Sequence, residues 1–182
     1  MSHPFTDVLV YEDHLPLSWT LCSSPQAQIE QVNQRNERLL MVLHASEESH
    51  KEVLEENPEQ MAAIIRLEAK LDLLTDLVTE LIRSGQEGAN SYPVKLSAVG
   101  IEWYCENVEL QAGQVVLLSL YLDTRMAQPL TLLAEVLSVT AEAEGMAVLC
   151  LFKGVSPPVT DLLEKSVFRC HRRQVASLKS RS

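Results

Sequence analysis

The side chains best suited to chemistry in this sequence are cations, and they gather at one end. From Arg169 onward stand five basic residues, Arg169, Arg172, Arg173, Lys179 and Arg181, and no acidic ones. The remainder holds 10 basic against 25 acidic residues, or −15, so the 182-residue chain sums to −10. Two readings fit this basic end. Cations are favoured near a helix C-terminus, where the backbone dipole is negative. The alternative is that Arg169, Arg172 and Arg173 contact an acidic partner or a phosphate. A smaller group is Lys95, Ser97 and Gly100. Ser97 and Gly100 suit a tight turn in which the hydroxyl satisfies local backbone, and Lys95 is a cation that could meet a phosphate.

Catalytic and metal-binding patterns are missing from the sequence. His3, His14, His44, His50 and His171 show no HExxH spacing and no pairing with cysteine. His44 and His50 are six apart, which does not place them on one helix face. No GxSxG, P-loop or GxGxxG is present. Glu47, Glu48, Glu52, Glu55 and Glu56 read as a solvated helix face. The expectation is no enzyme, no metal and no cofactor, with a small-molecule enzyme carrying a helical dimerisation arm as a remaining alternative. The charge balance argues against nucleic-acid binding. No apolar run approaches 18 residues, so no membrane insertion is expected. Four cysteines at 22, 105, 150 and 170 form no CxxC and read as free thiols of a reducing cytoplasm. The N-terminus lacks the basic n-region of a secretory signal.

These groups must be positioned by helices and strands that the pattern also reveals. Ile64, Leu67, Leu71, Leu74, Val78 and Leu81 recur at spacings of 3, 4, 3, 4 and 3, the a/d seam of a heptad helix. Such a seam must be buried, either against copies of the chain or within it. Met61, Leu77 and Ile82 widen the apolar face to a width that suits three or four strands. Ile65 and Leu73 point away from the seam and could touch the rest of the same subunit. An earlier helix, from Gln26 to about Glu56, carries Ile29, Val32, Leu39 and Leu43 at similar spacing. Asn36 takes the intervening a-type position, where it would either fix register in a buried interface or face solvent.

Asp7–Tyr11 reads as a short strand, with Leu15-Pro16-Leu17 as an extended turn. Beyond the linker Gly85–Pro93, strands are predicted at Val94–Val99, Ile101–Glu106, Gln114–Leu122, Leu130–Thr140 and Met146–Lys153. Gly100, Ala112-Gly113, Gln128-Pro129 and Glu144-Gly145 separate them, a spacing that suits a small antiparallel barrel. Pro157-Pro158 ends the sheet, and Val159 to about Leu178 closes the chain as a helix. The fold class is therefore α+β, with a long helical hairpin and a C-terminal barrel. The expected division is an N-terminal strand and extended segment at 1–23, a helical oligomerisation region at 24–84, and a barrel with terminal helix at 92–182. That last part is expected to fold without residues 1–90.

Residues 92–180 resemble a PilZ domain, a bacterial module that binds cyclic di-GMP. VKLSAVGIEW (Val94–Trp103) looks like the family signature [DN]xSxxG. ELQAGQVVLLSLYL (Glu109–Leu122) is similar to its second-strand pattern, and TDLLEKSVFRCHRRQVASLKS to its terminal helix. PFTDVLVYEDHLPLSW followed by two long helices resembles the atypical, tetrameric PilZ proteins. The resemblance implies a signalling protein of motility, pili, biofilm or virulence control that forms a homotetramer and acts on an unidentified protein partner.

The ligand machinery departs from the family. Two phosphates and two guanines call for arginine forks and planar stacking. The family supplies these from RxxxR ahead of the barrel, but Ser84–Pro93 contains no Arg or Lys. Arg35 and Arg38 form RNER, one residue short of that spacing. Lys95 occupies the place of Asp or Asn, and an ammonium cannot accept a guanine's N–H groups. Each missing charge-assisted bond costs about 1.5–3 kcal/mol, and about 1.4 kcal/mol is tenfold in affinity. Binding by the standard mode is not expected. The rival expectation is a receptor with another constellation, built from Lys95 and the basic tail or from a neighbouring subunit.

Overall fold

The computed structural model describes residues 5, 6, 8–23, 29–52, 64–67, 69–71, 73, 74, 77, 78, 90–123, 126, 128–142 and 145–179. Six strands form a closed antiparallel barrel: β1 (Tyr11–Leu21), β2 (Asn90–Leu96), β3 (Gly100–Cys105), β4 (Val115–Leu120), β5 (Leu130–Glu142) and β6 (Gly145–Phe152). Their order around the barrel is β1-β2-β3-β6-β5-β4. Among the described residues, three helical segments accompany them. α1 spans Ile29–Glu52, the described residues among 64–78 are helical and are called α2, and α3 spans Pro157–Lys179.

Alternation along the strands explains the core. Leu15 and Leu17 of β1, Val94 and Leu96 of β2, and Ile101 and Trp103 of β3 turn inward, as a period of two requires. Leu118 and Leu120 of β4 and Leu130, Leu132 and Val136 of β5 fill the rest. Trp103 is fully buried, and its ring lies 5.2 Å from that of Trp19.

β1 changes the domain division expected from sequence. The barrel includes Tyr11–Leu21 as well as strands from the 92–182 stretch, because β1 pairs with β2 through Tyr11↔Leu96 and with β4 through Leu17↔Leu120. Leu15-Pro16-Leu17 therefore lies within a strand, not in a turn. Proline is tolerated because it stands where β4 has ended. Only β2 pairs with β1 at Pro16, and the Pro16 carbonyl accepts the N–H of Tyr121 from the loop beyond β4.

α1 belongs to the same body. Asn33, Asn36, Leu40 and His44 recur on one face. Asn33 donates to the Gly154 carbonyl at 2.7 Å and accepts from the Ser156 N–H at 3.1 Å. Asn36, only 1% exposed, donates to the Thr131 carbonyl at 2.6 Å and accepts from the Thr131 N–H at 3.1 Å. Leu40 is fully buried, and His44 Nε2 meets Ser166 Oγ of α3 at 2.8 Å. The Ser166 hydroxyl donates to the Leu162 carbonyl at 2.9 Å, so it takes its proton from the imidazole N–H. Asn36 is thus buried against the chain's own β5.

α3 inserts Val159, Leu163, Val167 and Cys170 into the core, while Phe168 and Val175 face outward. Pro157 and Pro158 begin this helix, where a missing N–H leaves no bond unmade. No helix among the described residues is long and apolar enough to cross a membrane.

Candidate functional site

The signature turn joins β2 to β3. Ser97 Oγ accepts the backbone N–H of Val99 at 3.2 Å and that of Gly100 at 3.1 Å, and its hydroxyl proton faces the Gly100 carbonyl at 3.1 Å. The side chain is fully buried. Its bonds close the turn on itself. Gly100 is required by approach of the next strand, since a Cβ there would collide with the Cys150 carbonyl oxygen of β6.

Lys95 stands outward on β2, directly opposite Glu102 of β3 and Glu12 of β1. Residues paired in this way share a face of the sheet. The Lys95 ammonium lies 3.1 Å from the Glu102 carboxylate and donates to the Tyr104 hydroxyl at 3.0 Å. That hydroxyl donates in turn to Glu102 at 3.0 Å. The three side chains form a closed triangle, with Lys95 also 5.4 Å from the centre of the Tyr104 ring. The bond to Tyr104 and the adjacent carboxylate hold Lys95 above the ordinary lysine range, although burial opposes them. Burial pushes the Tyr104 phenol up, aided by its bond to Glu102. A phosphate brought to Lys95 would meet one carboxylate already bound and a second in the neighbouring register position.

The basic residues of α3 are placed separately. Arg172 lies 5.7 Å over the Phe168 ring on the outward side. Arg173 lies 3.9 Å from the Asp123 carboxylate and 3.5 Å from Cys170 Sγ. Arg169 is half-buried beside Asp123, Leu122 and Ser166. Gln174 donates to the Glu12 carbonyl at 2.7 Å, so this end of α3 adjoins β1. β1 stands between the basic helix and Lys95. Arg35 donates to the Gln128 side chain at 3.2 Å, across from the loop between β4 and β5.

Glu102, Tyr104 and Glu12 were not singled out from sequence. Alternation along Gly100–Cys105 could have found the first two, because they are the residues of β3 that turn away from Ile101 and Trp103. A groove of about 990 Å³ opens at the far end of β2 and β3, lined by Tyr92, Tyr104, Glu106, Asn107 and Glu142 among others. No cation lines it among the described residues. Burial pushes the Cys150 thiol up to about 12 and raises Cys105, so neither is a thiolate nucleophile near neutrality. The described residues hold no group of three or more His, Cys, Asp or Glu side chains placed to bind a metal.

α2 presents a different kind of surface. Ile64, Leu67, Leu71, Leu74 and Val78 are between 45% and 62% exposed in the single chain. Leu81 lies outside the described residues. Ile65 and Leu73 are exposed too, at 55% and 59%.

One solved structure agrees with this architecture over most of the chain. A solved structure from Xanthomonas campestris, described as a pathogenic protein with a tetrameric PilZ domain self-assembled via an unusual helical bundle, is similar over 94% of this chain and 93% of its own. Its identity is 26% and its TM-score 0.76. YcgR of Escherichia coli in complex with c-di-GMP is 18% identical, with a TM-score of 0.41 over 50% of this chain and 40% of that one. MotI/DgrA of Bacillus subtilis, an inhibitor of motility, is 19% identical, with a TM-score of 0.39 over 50% and 44%. No curated protein matches the chain. The profile described as "Atypical PilZ domain, cyclic di-GMP receptor" matches residues 40–180, and the chain belongs to that atypical PilZ family.

Proposed function

We propose that this chain is a non-enzymatic regulatory protein of cyclic di-GMP-linked signalling. It assembles as a homotetramer through the α2 seam and works in the cytoplasm through contacts with a protein partner. It does not bind the dinucleotide by the standard mode. The setting implied by the family is motility, pili, biofilm or virulence control.

The observation that carries this reading is Lys95, held by Glu102 and Tyr104 and faced by Glu12. The family's Asp or Asn acceptor is replaced at this position by Lys95, whose ammonium is taken up by Glu102 and Tyr104 rather than presented to a phosphate. The exposed α2 seam supports assembly, as does the tetrameric state described for the Xanthomonas protein.

Titration calorimetry with cyclic di-GMP at physiological salt tests the reading. The expected result is no binding heat up to roughly 50 µM nucleotide. Saturable micromolar binding would overturn it. One contact favours a second reading, a receptor with a non-standard site: Gln174 ties the basic end of α3 to β1, next to Lys95. On that reading, binding would appear and would fall in Lys95→Met, Arg172→Ala and Arg173→Ala.

A further inference from the structure

We propose that the cleft where β2 and β3 part receives an extended segment of the partner protein, in which apolar residues alternate with lysine or arginine. The proposal rests on the reading that this chain acts through a protein partner, and it names the surface that partner uses.

The barrel is unzipped at one end. β2 pairs with β1 as far as Leu17↔Asn90, and β3 pairs with β6 as far as Cys105↔Met146. Between β2 and β3, however, pairing runs only from Leu96↔Ile101 to Val94↔Trp103. The cause is Pro93. Ser97 donates its N–H to the Gly100 carbonyl at 3.0 Å. Bonded pairs of an antiparallel ladder recur at every second residue, so Lys95 bonds with Glu102 and the next pair would be Pro93 with Tyr104. Proline has no N–H to give the Tyr104 carbonyl. Beyond this point residues 90–93 and 104–107 become the walls of the groove of about 990 Å³.

Those walls are strand edges. Pro16, opposite Ser91, gives its carbonyl to Tyr121 on the β4 side. Pro16↔Ser91 is therefore not a bonded pair, and Ser91 turns its own N–H and C=O toward the cleft. An extended peptide adds to edges of this kind through main-chain bonds, while its side chains alternate between the two faces.

The two faces select its residues. On the core side the cleft offers Tyr92, Cys105 and Met146, with the Tyr92 ring 5.5 Å from that of Trp19. On the outer side it offers Tyr104, Glu106 and Glu142, and no cation lines it among the described residues. A strand laid here meets apolar groups on one face and carboxylates on the other, which calls for apolar and basic residues in alternation. The chain's own residues 84–89, which lead into β2, have the wrong character: they hold Glu87 and no Lys or Arg.

The test selects a phage-displayed library of short random peptides on the full-length protein. Sequences that alternate apolar and basic residues should be enriched. A synthetic copy of the most enriched one should slow hydrogen exchange about tenfold in the segments holding Ser91 and Glu106. Its affinity should fall about tenfold or more for Glu106→Lys with Glu142→Lys, whose melting temperature checks that the variant stays folded. No enrichment, enriched peptides without basic residues, or protection elsewhere overturns the inference. Slow exchange of the same segments in the free protein also overturns it, because the cleft is then already filled. That protection is lost when residues 84–89 become a Gly-Ser repeat if the linker fills the cleft, and in Leu71→Glu with Leu74→Glu if another copy does. Cyclic di-GMP calorimetry on the same sample separates the two failures. A silent nucleotide with no enriched peptide overturns the cleft alone, whereas saturable nucleotide binding overturns the proposed function.

Discussion

α1 and α2 carry similar heptad spacing and do different work. In α1 the apolar residues share their face with Asn33, Asn36 and His44, whose partners come from the β6–α3 connection, from β5 and from α3 of the same chain. In α2 the seam is wholly aliphatic, and its described members are exposed in the single chain. Apolar spacing alone says that a helix face must be covered. What covers it is written in the polar residues: a side-chain amide bonded to a backbone N–H and C=O at once fits one site only, whereas an aliphatic seam fits other copies of itself. A buried Asn fixes register here as it does in coiled coils, but the register is that of a helix on its own sheet.

The sharpest way to break this contrast is to remove residues 1–21. The deletion takes β1 out of a closed barrel and exposes Leu96, Trp103 and Leu118. The expected outcome is loss of near-ultraviolet circular dichroism and of the cooperative thermal transition, with binding of a hydrophobic dye. A well-folded fragment would show that β1 is an accessory to the barrel.

Asn36→Leu comes next. It perfects the heptad of α1 while leaving the Thr131 N–H and carbonyl without their partner. We expect a loss of about 2–4 kcal/mol in urea unfolding, with assembly mass unchanged. A neutral or stabilising change would place Asn36 outside the docking of α1. His44→Leu removes the bond to Ser166, which keeps its Leu162 acceptor, and should cost about 1–2 kcal/mol by the same measurement.

The smallest effect concerns Lys95. Its pKa is raised in the folded state, so the bonds that raise it stabilise fully below the ordinary value of 10.5 and are lost as pH climbs through the higher folded value. The side chain is more than one-third exposed, so solvent screening limits the contribution to less than about 1 kcal/mol. Wild type should lose slightly more stability than Lys95→Met between pH 10 and 11.5 in thermal melts, and the two should run parallel from pH 6 to 9.

Much of the barrel was legible from sequence. The strands after residue 90 follow alternation between glycine and proline turns, and the start of β5 at Leu130 and the closing helix fall where expected. The strand expected at Asp7–Tyr11 meets β1 only at Tyr11, and the rest of β1 was hidden because Pro16 signals a turn until the end of β4 is known. Phe168 and Val175 are apolar yet face outward, since Val159, Leu163 and Val167 already fill the core side of α3. At the candidate site, the lysine in place of an acceptor was readable from the motif. The carboxylates that hold and face it were not, because Glu12 and Glu102 are 90 residues apart in sequence and share a row only through the register of β1, β2 and β3.

The most direct measurement is the solution mass of the wild type beside Leu71→Glu with Leu74→Glu, by size-exclusion chromatography with light scattering. The account predicts roughly four times the 20.4 kDa chain mass for wild type. It predicts a monomer for the variant, because charges at a and d cannot be buried against aliphatic partners. A wild type that already runs as a 20.4 kDa monomer, or a variant of unchanged mass, would contradict it.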